Sequence, residues 1–282
     1  MKIKNILLLL LFFVFTILPL MLGLCYAVLQ SFGIIGSFNS GFTWQHYKAL
    51  FAEGALVNSV FYTIGLALIS IVLATLFALI ATLGLHKYFV KEPLSYLINL
   101  PLAFPSIVAS FFFFQLLSSS GIVARLCIKI GIISNINKFP SLINDTYNIG
   151  IITAQLFVTT PFFILLFTSI YYNQHIAQYS IIAKTLGATK KYVALKVAAP
   201  IILQKALPTI FLYFIFKLGI YEIPLILGKS APETLSVMAV RKMQKFNLLD
   251  IPQGYAIAVL YAVLLCFFLI VFFKLNKQQS AI

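Results

Sequence analysis

Few side chains in this sequence could do chemistry, and the most informative are two charges inside apolar stretches. Lys217 and Glu222 are the only charged residues well inside a run of apolar residues. A charge in that environment is costly unless it meets a partner or a water-filled path. The three histidines lie far apart and the six acidic residues are mostly single. We therefore expect no catalytic residue, no metal site and no cofactor.

Prolines within the apolar stretches are a second feature typical of a solute path. A proline removes a backbone hydrogen bond, and such breaks are tolerated where a helix lines a cavity or packs on protein. The two charges could line or gate a path, or could snorkel or pack against another subunit, and the prolines could be structural kinks. The candidate path or gate residues are Pro101, Pro105, Gln155, Lys217, Glu222 and Pro224.

The composition places these residues in a membrane protein. The chain is 62% hydrophobic and only 9% charged, whereas a soluble domain carries about 25% charge. Uncharged runs of about 18 residues or more predict helices that cross a bilayer. We predict an all-α membrane protein that forms a single domain over residues 1–282. Its six spans are 6–29, 56–83, 94–117, 149–171, 206–227 and 255–273.

The basic residues predict which way the spans are inserted. An even number of spans puts both termini on one side, and lysine and arginine accumulate on the cytoplasmic side. If the termini are cytoplasmic, the inner segments hold 11 basic residues and 1 acidic residue, against 8 and 4 outside. The first apolar run is longer than a signal-peptide core, so we expect an uncleaved helix. The net charge of +14 is then explained without a nucleic-acid partner.

The segment 173–205 is the longest inner segment, and it contains no aspartate or glutamate. Its first part has a helical composition and stops at Gly187. Thr189 can cap a second helix, which is expected to end at Pro200. The apolar face of this second helix is predicted to consist of Tyr192, Leu195 and Ala199. The two short helices form either an interfacial hairpin on lipid headgroups or a knob that docks a soluble partner.

The stretch "IIAKTLGATKKYVALKVAAP" resembles the loop of binding-protein-dependent ABC importer permeases. That pattern is Glu-Ala-Ala, three residues, Gly, nine residues, Ile-x-Leu-Pro, and Ile181 stands where the family carries the glutamate. In the family this loop is the coupling helix, which sits in a groove of the cytoplasmic ATPase. The resemblance therefore implies docking, but not an acid-to-arginine contact. It implies an ATPase-coupling loop that contains Ile181, Ala183, Lys184, Gly187, Ala188, Thr189, Tyr192, Val197 and Pro200.

Three further stretches, 56–84, 99–125 and 219–244, resemble spans and loops of the same family. The resemblance implies a type I permease with six transmembrane helices and cytoplasmic termini, in the bacterial inner membrane. It implies that membrane lipid surrounds the chain. It also implies that this permease works in a complex with a second permease (the same or a different chain), an ATPase dimer and an extracytoplasmic solute-binding protein. ATP hydrolysis would belong to the partner, so this chain is expected not to be an enzyme.

The substrate is the least determined feature. The third and fifth spans look most like permeases for polyamines such as spermidine and putrescine. Related branches carry sulfate, molybdate, ferric iron, thiamine or phosphonate. An ATPase-independent secondary transporter or channel is an alternative, as is a membrane-embedded enzyme that acts on lipid. A secondary transporter or channel would need ion-coupling residues inside the spans. A lipid-modifying enzyme would need a cluster of catalytic side chains at one membrane face.

Overall fold

The structure, a computed structural model, describes residues 3–36, 41–89 and 94–279, and these residues form helices and turns with no strand. Lys2, Lys91 and Glu92, which entered the charge count, lie outside the described residues. Six helical stretches are long and apolar enough to cross a membrane: Leu8–Ser31, Ala55–Phe89, Ser106–Lys129, Ile149–Asn173, Lys190–Leu218 and Asp250–Lys274. The all-α class and the number of spans predicted from the sequence are confirmed.

The α-helices follow one another as α1 (Ile3–Phe12), α2 (Leu18–Ser31), α3 (Gln45–Ala52), α4 (Ala55–Phe89), α5 (Leu94–Asn99), α6 (Ser106–Leu117), α7 (Ile122–Lys129), α8 (Ile149–Asn173), α9 (Ile176–Thr185), α10 (Lys190–Val193), α11 (Ala199–Leu218), α12 (Glu222–Leu227), α13 (Leu235–Met243) and α14 (Asp250–Gln279). A π-helical turn, Phe13–Ile17, joins α1 to α2, and another, Ala194–Ala198, joins α10 to α11. Short 3₁₀ helices occupy Leu100–Ala103 and Ile136–Lys138.

The first of two compact units contains Met1–Phe61 and Thr234–Phe268. Its core is formed by α3, the start of α4, α13 and the start of α14, and the buried side chains are Tyr47, Leu50, Leu56, Leu235, Met238, Ala239, Ala256 and Ile257. The first apolar stretch contributes almost nothing to this core, since its leucines and phenylalanines are exposed. These side chains are therefore left for lipid or for another protein.

The second compact unit contains Tyr62–Glu233 and Leu269–Ile282. Its core is built from α4, α6, α8 and α12, and the buried side chains are Leu66, Phe113, Leu117, Ile143, Ile151, Ala154, Ile223 and Leu227. Asp145 caps α8, because one carboxylate oxygen accepts a hydrogen bond from the Ile149 N–H at 2.9 Å. Each of the two units is thus assembled from segments that are distant in the chain.

Three predicted spans, 56–83, 149–171 and 255–273, lie within α4, α8 and α14. The third and fifth spans differ from their predicted bounds. The segment 94–117 is broken between α5 and α6, where Pro101 and Pro105 interrupt the helix. The apolar stretch there runs over Ser106–Lys129 instead of 94–117.

The fifth span begins earlier and ends earlier than the predicted 206–227. The expectation that the second loop helix ends at Pro200 is wrong, because the chain continues through the π turn into α11. Pro200 follows this π turn inside the continuous helical stretch Lys190–Leu218, so its missing N–H removes one intrahelical hydrogen bond there. The span then ends at Leu218, before Gly219, and α12 forms a separate short helix.

Candidate functional site

The segment between α8 and α11 folds into a hairpin of α9 and α10, which we name the Gly187 hairpin (residues 176–199). Gly187 has a φ of +86°, a conformation that suits glycine at a helix C-terminus. The N–H of Ala188 donates to the Ala183 carbonyl at 3.0 Å. Thr189 Oγ1 accepts a hydrogen bond from the Tyr192 N–H at 3.3 Å. The predicted stop at Gly187 and the predicted cap at Thr189 are confirmed.

The apolar face predicted for the second helix is wrong at one of its three members, Ala199. Tyr192 and Leu195 are exposed, and the buried side chains are instead Val193 and Ala198, with Ala199 as the only predicted member inside. The π turn explains the error, because its extra residue shifts the helical phase. Residues at i, i+3 and i+7 then no longer share one face.

The exposed side of α9 carries large apolar side chains. Ile181 and Ile182 are exposed, and Leu186 is 83% exposed at the tip of the hairpin. The charged residues of this loop are all lysines, since 173–205 contains no acidic residue. An apolar patch rimmed by like charges is typical of an interaction surface.

Position 181, where the family carries a glutamate, faces outward and is able to meet a partner. The sequence predictions missed Ile182 and Leu186, although their apolar character in a polar loop is a usable signal. The other predicted loop residues fall into two groups. Ala183, Ala188 and Val197 are half-buried, whereas Lys184 and Pro200 are exposed.

Two of the candidate path residues meet in the interior of the second unit. Lys217, in the last turn of α11, is only 5% exposed, and its Nζ donates to the backbone carbonyl of Gln155 at 3.3 Å. The Gln155 side chain is buried in α8, and its Oε1 has no hydrogen-bond partner among the described residues. Lys217 and Gln155 thus form a polar contact between two apolar helices, and part of its hydrogen-bonding capacity is unused.

The remaining candidate path residues lie at two helix breaks. Glu222 is half-buried at the start of α12, and Pro224 is buried in the same helix, which packs against α6 and α8. Pro101 is half-buried and Pro105 is exposed, at the break before α6. No ion pair joins Lys217 to Glu222 in the part of the chain that the structure describes.

A second buried lysine lies in the first unit and was not singled out from the sequence. Lys242, on α13, is 8% exposed. Its Nζ donates to both carboxylate oxygens of Glu53 at 3.1 Å and to Gln253 Oε1 at 2.7 Å. Glu53 is 189 positions away in the chain, so no local sequence signal could have paired them.

The described residues contain no group of three or more His, Cys, Asp or Glu side chains able to hold a metal ion.

The sequence matches none of the known protein-family models. Over 237 residues, or 83% of this chain, it is 27% identical to the thiamine transport system permease protein ThiP of Haemophilus influenzae. The match covers 41% of ThiP, so the chain spans less than half the length of this relative.

The fold is similar to a chain in the crystal structure of a bacterial ABC transporter involved in the import of the acidic polysaccharide alginate. The TM-score is 0.72 at 16% identity, and the match covers 98% of this chain and 94% of that chain. Both similarities agree with the resemblance to ABC importer permeases that the sequence indicates.

Proposed function

We propose that this chain is the membrane-spanning subunit of an ABC importer in the bacterial inner membrane, with both termini and the Gly187 hairpin in the cytoplasm. The observation that carries the proposal is the exposed apolar patch of α9, held on a hairpin without any acidic residue. A soluble ATPase that covers this patch would bury Ile181, Ile182 and Leu186. Burial of one such side chain contributes about 1.5–3 kcal/mol.

The fold suggests how a push on the hairpin would reach the membrane interior. From Lys190 to Leu218 the chain is one helical stretch of 29 residues, which at 1.5 Å per residue is about 43 Å long. Its first turn belongs to the hairpin and its last turn holds Lys217. Pro208 lies inside this stretch, so the helix has a point where it can bend. Movement of the hairpin by the ATPase dimer would therefore be transmitted to Lys217 and Gln155.

The solute path proposed here is lined or gated by the residues predicted from the sequence, with the contact of Lys217 and Gln155 at its centre. A second permease chain would complete the path, and an extracytoplasmic binding protein would deliver the solute. Glu222 and Pro224, at the start of α12, lie just beyond Lys217 in the chain. The prolines at 101 and 105 supply a further break at which the path can change shape.

Among the candidate substrates, the relative favours thiamine over a polyamine. ThiP is named as a thiamine transport permease, and thiamine is one of the branches indicated by the sequence. The two substrates are distinguished by measuring the uptake of radiolabelled thiamine and of radiolabelled spermidine by cells with and without the chain. Spermidine uptake that requires the chain would overturn the thiamine assignment.

The experiment that tests the proposed function is purification of the tagged chain from native membranes, with Leu186→Asp as the variant. The unmodified chain should retain a subunit that binds ATP, and Leu186→Asp should weaken that association at least about tenfold. Ile132→Asp is the matched control, because Ile132 is 69% exposed in a different loop, between α7 and α8.

Loss of solute uptake should follow Leu186→Asp and not Ile132→Asp. A secondary transporter or channel would instead take up its solute without any ATPase and would be indifferent to both changes. The proposal would be overturned if neither change affected solute uptake and if no ATP-binding subunit purified with the chain.

A further inference from the structure

A cavity of about 170 Å³ lies under the Gly187 hairpin, where it meets the ends of α4 and α8. Its polar lining comes from four helices: His86 of α4, Tyr171 of α8, Ser180 and Lys184 of α9, and Lys190 of α10. We propose that this cavity binds a phosphate group, carried either by a lipid or by a free phosphate compound. Nothing in the transport cycle described above uses these five residues together.

The charge around the cavity is uncompensated. Lys184 and Lys190 line it from the two arms of the hairpin; both lysines are exposed, and neither forms an ion pair within the described residues. The whole segment 173–205 offers no carboxylate that could neutralise them. Two cations that share one cavity repel each other, and an anion between them removes that repulsion.

The neutral groups form a fixed wall behind the two lysines. The ring of His86 packs in a tilted arrangement on Tyr171, with a centroid distance of 4.2 Å and an interplanar angle of 30°. His86 Nδ1 lies 3.1 Å from the Thr82 carbonyl oxygen, and Ser180 Oγ donates to the Ile176 carbonyl at 2.8 Å. These side chains are therefore positioned before any ligand arrives, which lowers the entropic cost of binding.

Size and chemistry favour phosphate over a smaller anion. A water occupies about 30 Å³ in the liquid, so the cavity has room for a phosphate group with some of its hydration. Two ammonium groups supply six N–H donors, which match the several acceptor oxygens of a phosphate. Lysine is a common phosphate ligand that acts as a point charge.

The position of the cavity explains why a lipid is one possible source. His86 is three residues from the end of α4, and Tyr171 is two residues from the end of α8. The cavity thus lies where two apolar spans end, at the depth of lipid headgroups, and basic pockets at such positions bind anionic lipids. A bound phosphate would hold both arms of the hairpin against α4 and α8.

The test measures the melting temperature of the purified full-length chain in a neutral detergent. The added probes are short-chain phosphatidylglycerol, short-chain phosphatidylcholine, inorganic phosphate, and sodium chloride at equal ionic strength. We expect phosphatidylglycerol, inorganic phosphate or both to raise the melting temperature by about 3 °C or more. A response to phosphatidylglycerol alone identifies a lipid, and a response to inorganic phosphate shows that the free anion suffices.

The double variant Lys184→Gln, Lys190→Gln should lose most of this rise. Its matched control is Lys191→Gln, Lys196→Gln, which removes the same charge from lysines of the same loop that do not line the cavity. Lys184→Arg, Lys190→Arg keeps the charge and should keep the response. The proposal is overturned if neither phosphate probe exceeds the salt and phosphatidylcholine controls, or if both glutamine double variants respond equally.

Discussion

Two lysines are buried among the described residues, and their surroundings differ sharply. Lys242 donates to two oxygens of Glu53 and to Gln253, so all three of its N–H groups have acceptors. Lys217 is buried to a similar degree, but within the described part of the chain its ammonium group donates a single hydrogen bond, to a backbone carbonyl at 3.3 Å.

This difference separates a structural charge from a candidate functional one. Burial of a charge is unfavourable unless hydrogen bonds and an opposite charge compensate for it. Lys242 is compensated, and it ties α13 to the residues before α4 and to α14. Lys217 is not compensated by the described residues, so something other than the stability of this chain must account for it. A solute path or a second subunit supplies such a reason.

The largest expected effect comes from removing the partner of Lys242. Glu53→Ala leaves a buried ammonium with Gln253 alone, and we expect the free energy of unfolding to fall by about 2 kcal/mol, since Glu53 is itself partly exposed. Denaturant titration in detergent measures this change. Glu53→Gln keeps one acceptor and should lose less. If the unmodified chain, Glu53→Ala and Glu53→Gln had equal free energies of unfolding, Glu53 would not stabilise the buried Lys242, and the difference between Lys242 and Lys217 would disappear.

Replacing Lys217 should have the opposite effect on stability. In Lys217→Met an unbranched apolar side chain takes the place of a poorly compensated charge, so we expect the free energy of unfolding to stay level or rise by about 1 kcal/mol. Solute uptake per folded transporter should nevertheless fall strongly, because the polar contact of Lys217 with Gln155 in the proposed path is lost. Unchanged uptake would remove Lys217 from the path and leave only a packing role.

Gln155→Leu is expected to have the smallest effect on stability. The unpaired Oε1 disappears, whereas the backbone carbonyl that accepts from Lys217 remains. The free energy of unfolding should therefore change by no more than about 1 kcal/mol. If the free energy of unfolding fell by more than about 3 kcal/mol in the same titration, the Gln155 side chain would have a structural partner. The surroundings of Lys217 would then resemble those of Lys242 more closely.

Several features could be predicted because they depend on neighbours in the chain. The stop at Gly187 and the cap at Thr189 require only local residues with the right conformation or hydroxyl. The phase of the next helix could not be predicted, because the π turn at Ala194–Ala198 interrupts the 3.6-residue period. The exposed tip at Leu186 was likewise missed, although its apolar side chain stood out in a polar loop.

The sequence by itself determined the class of the protein and the number of its spans, because long uncharged apolar runs satisfy their backbone groups in a bilayer by forming helices. It also determined the family resemblance, through a loop of conserved spacing in a basic segment. The tertiary structure decided which charges are satisfied. Lys242 pairs with Glu53, which is 189 positions away in the chain, and Lys217 donates to a backbone carbonyl 62 positions away. Such pairings depend on how helices pack, and packing brings together residues that no local pattern relates.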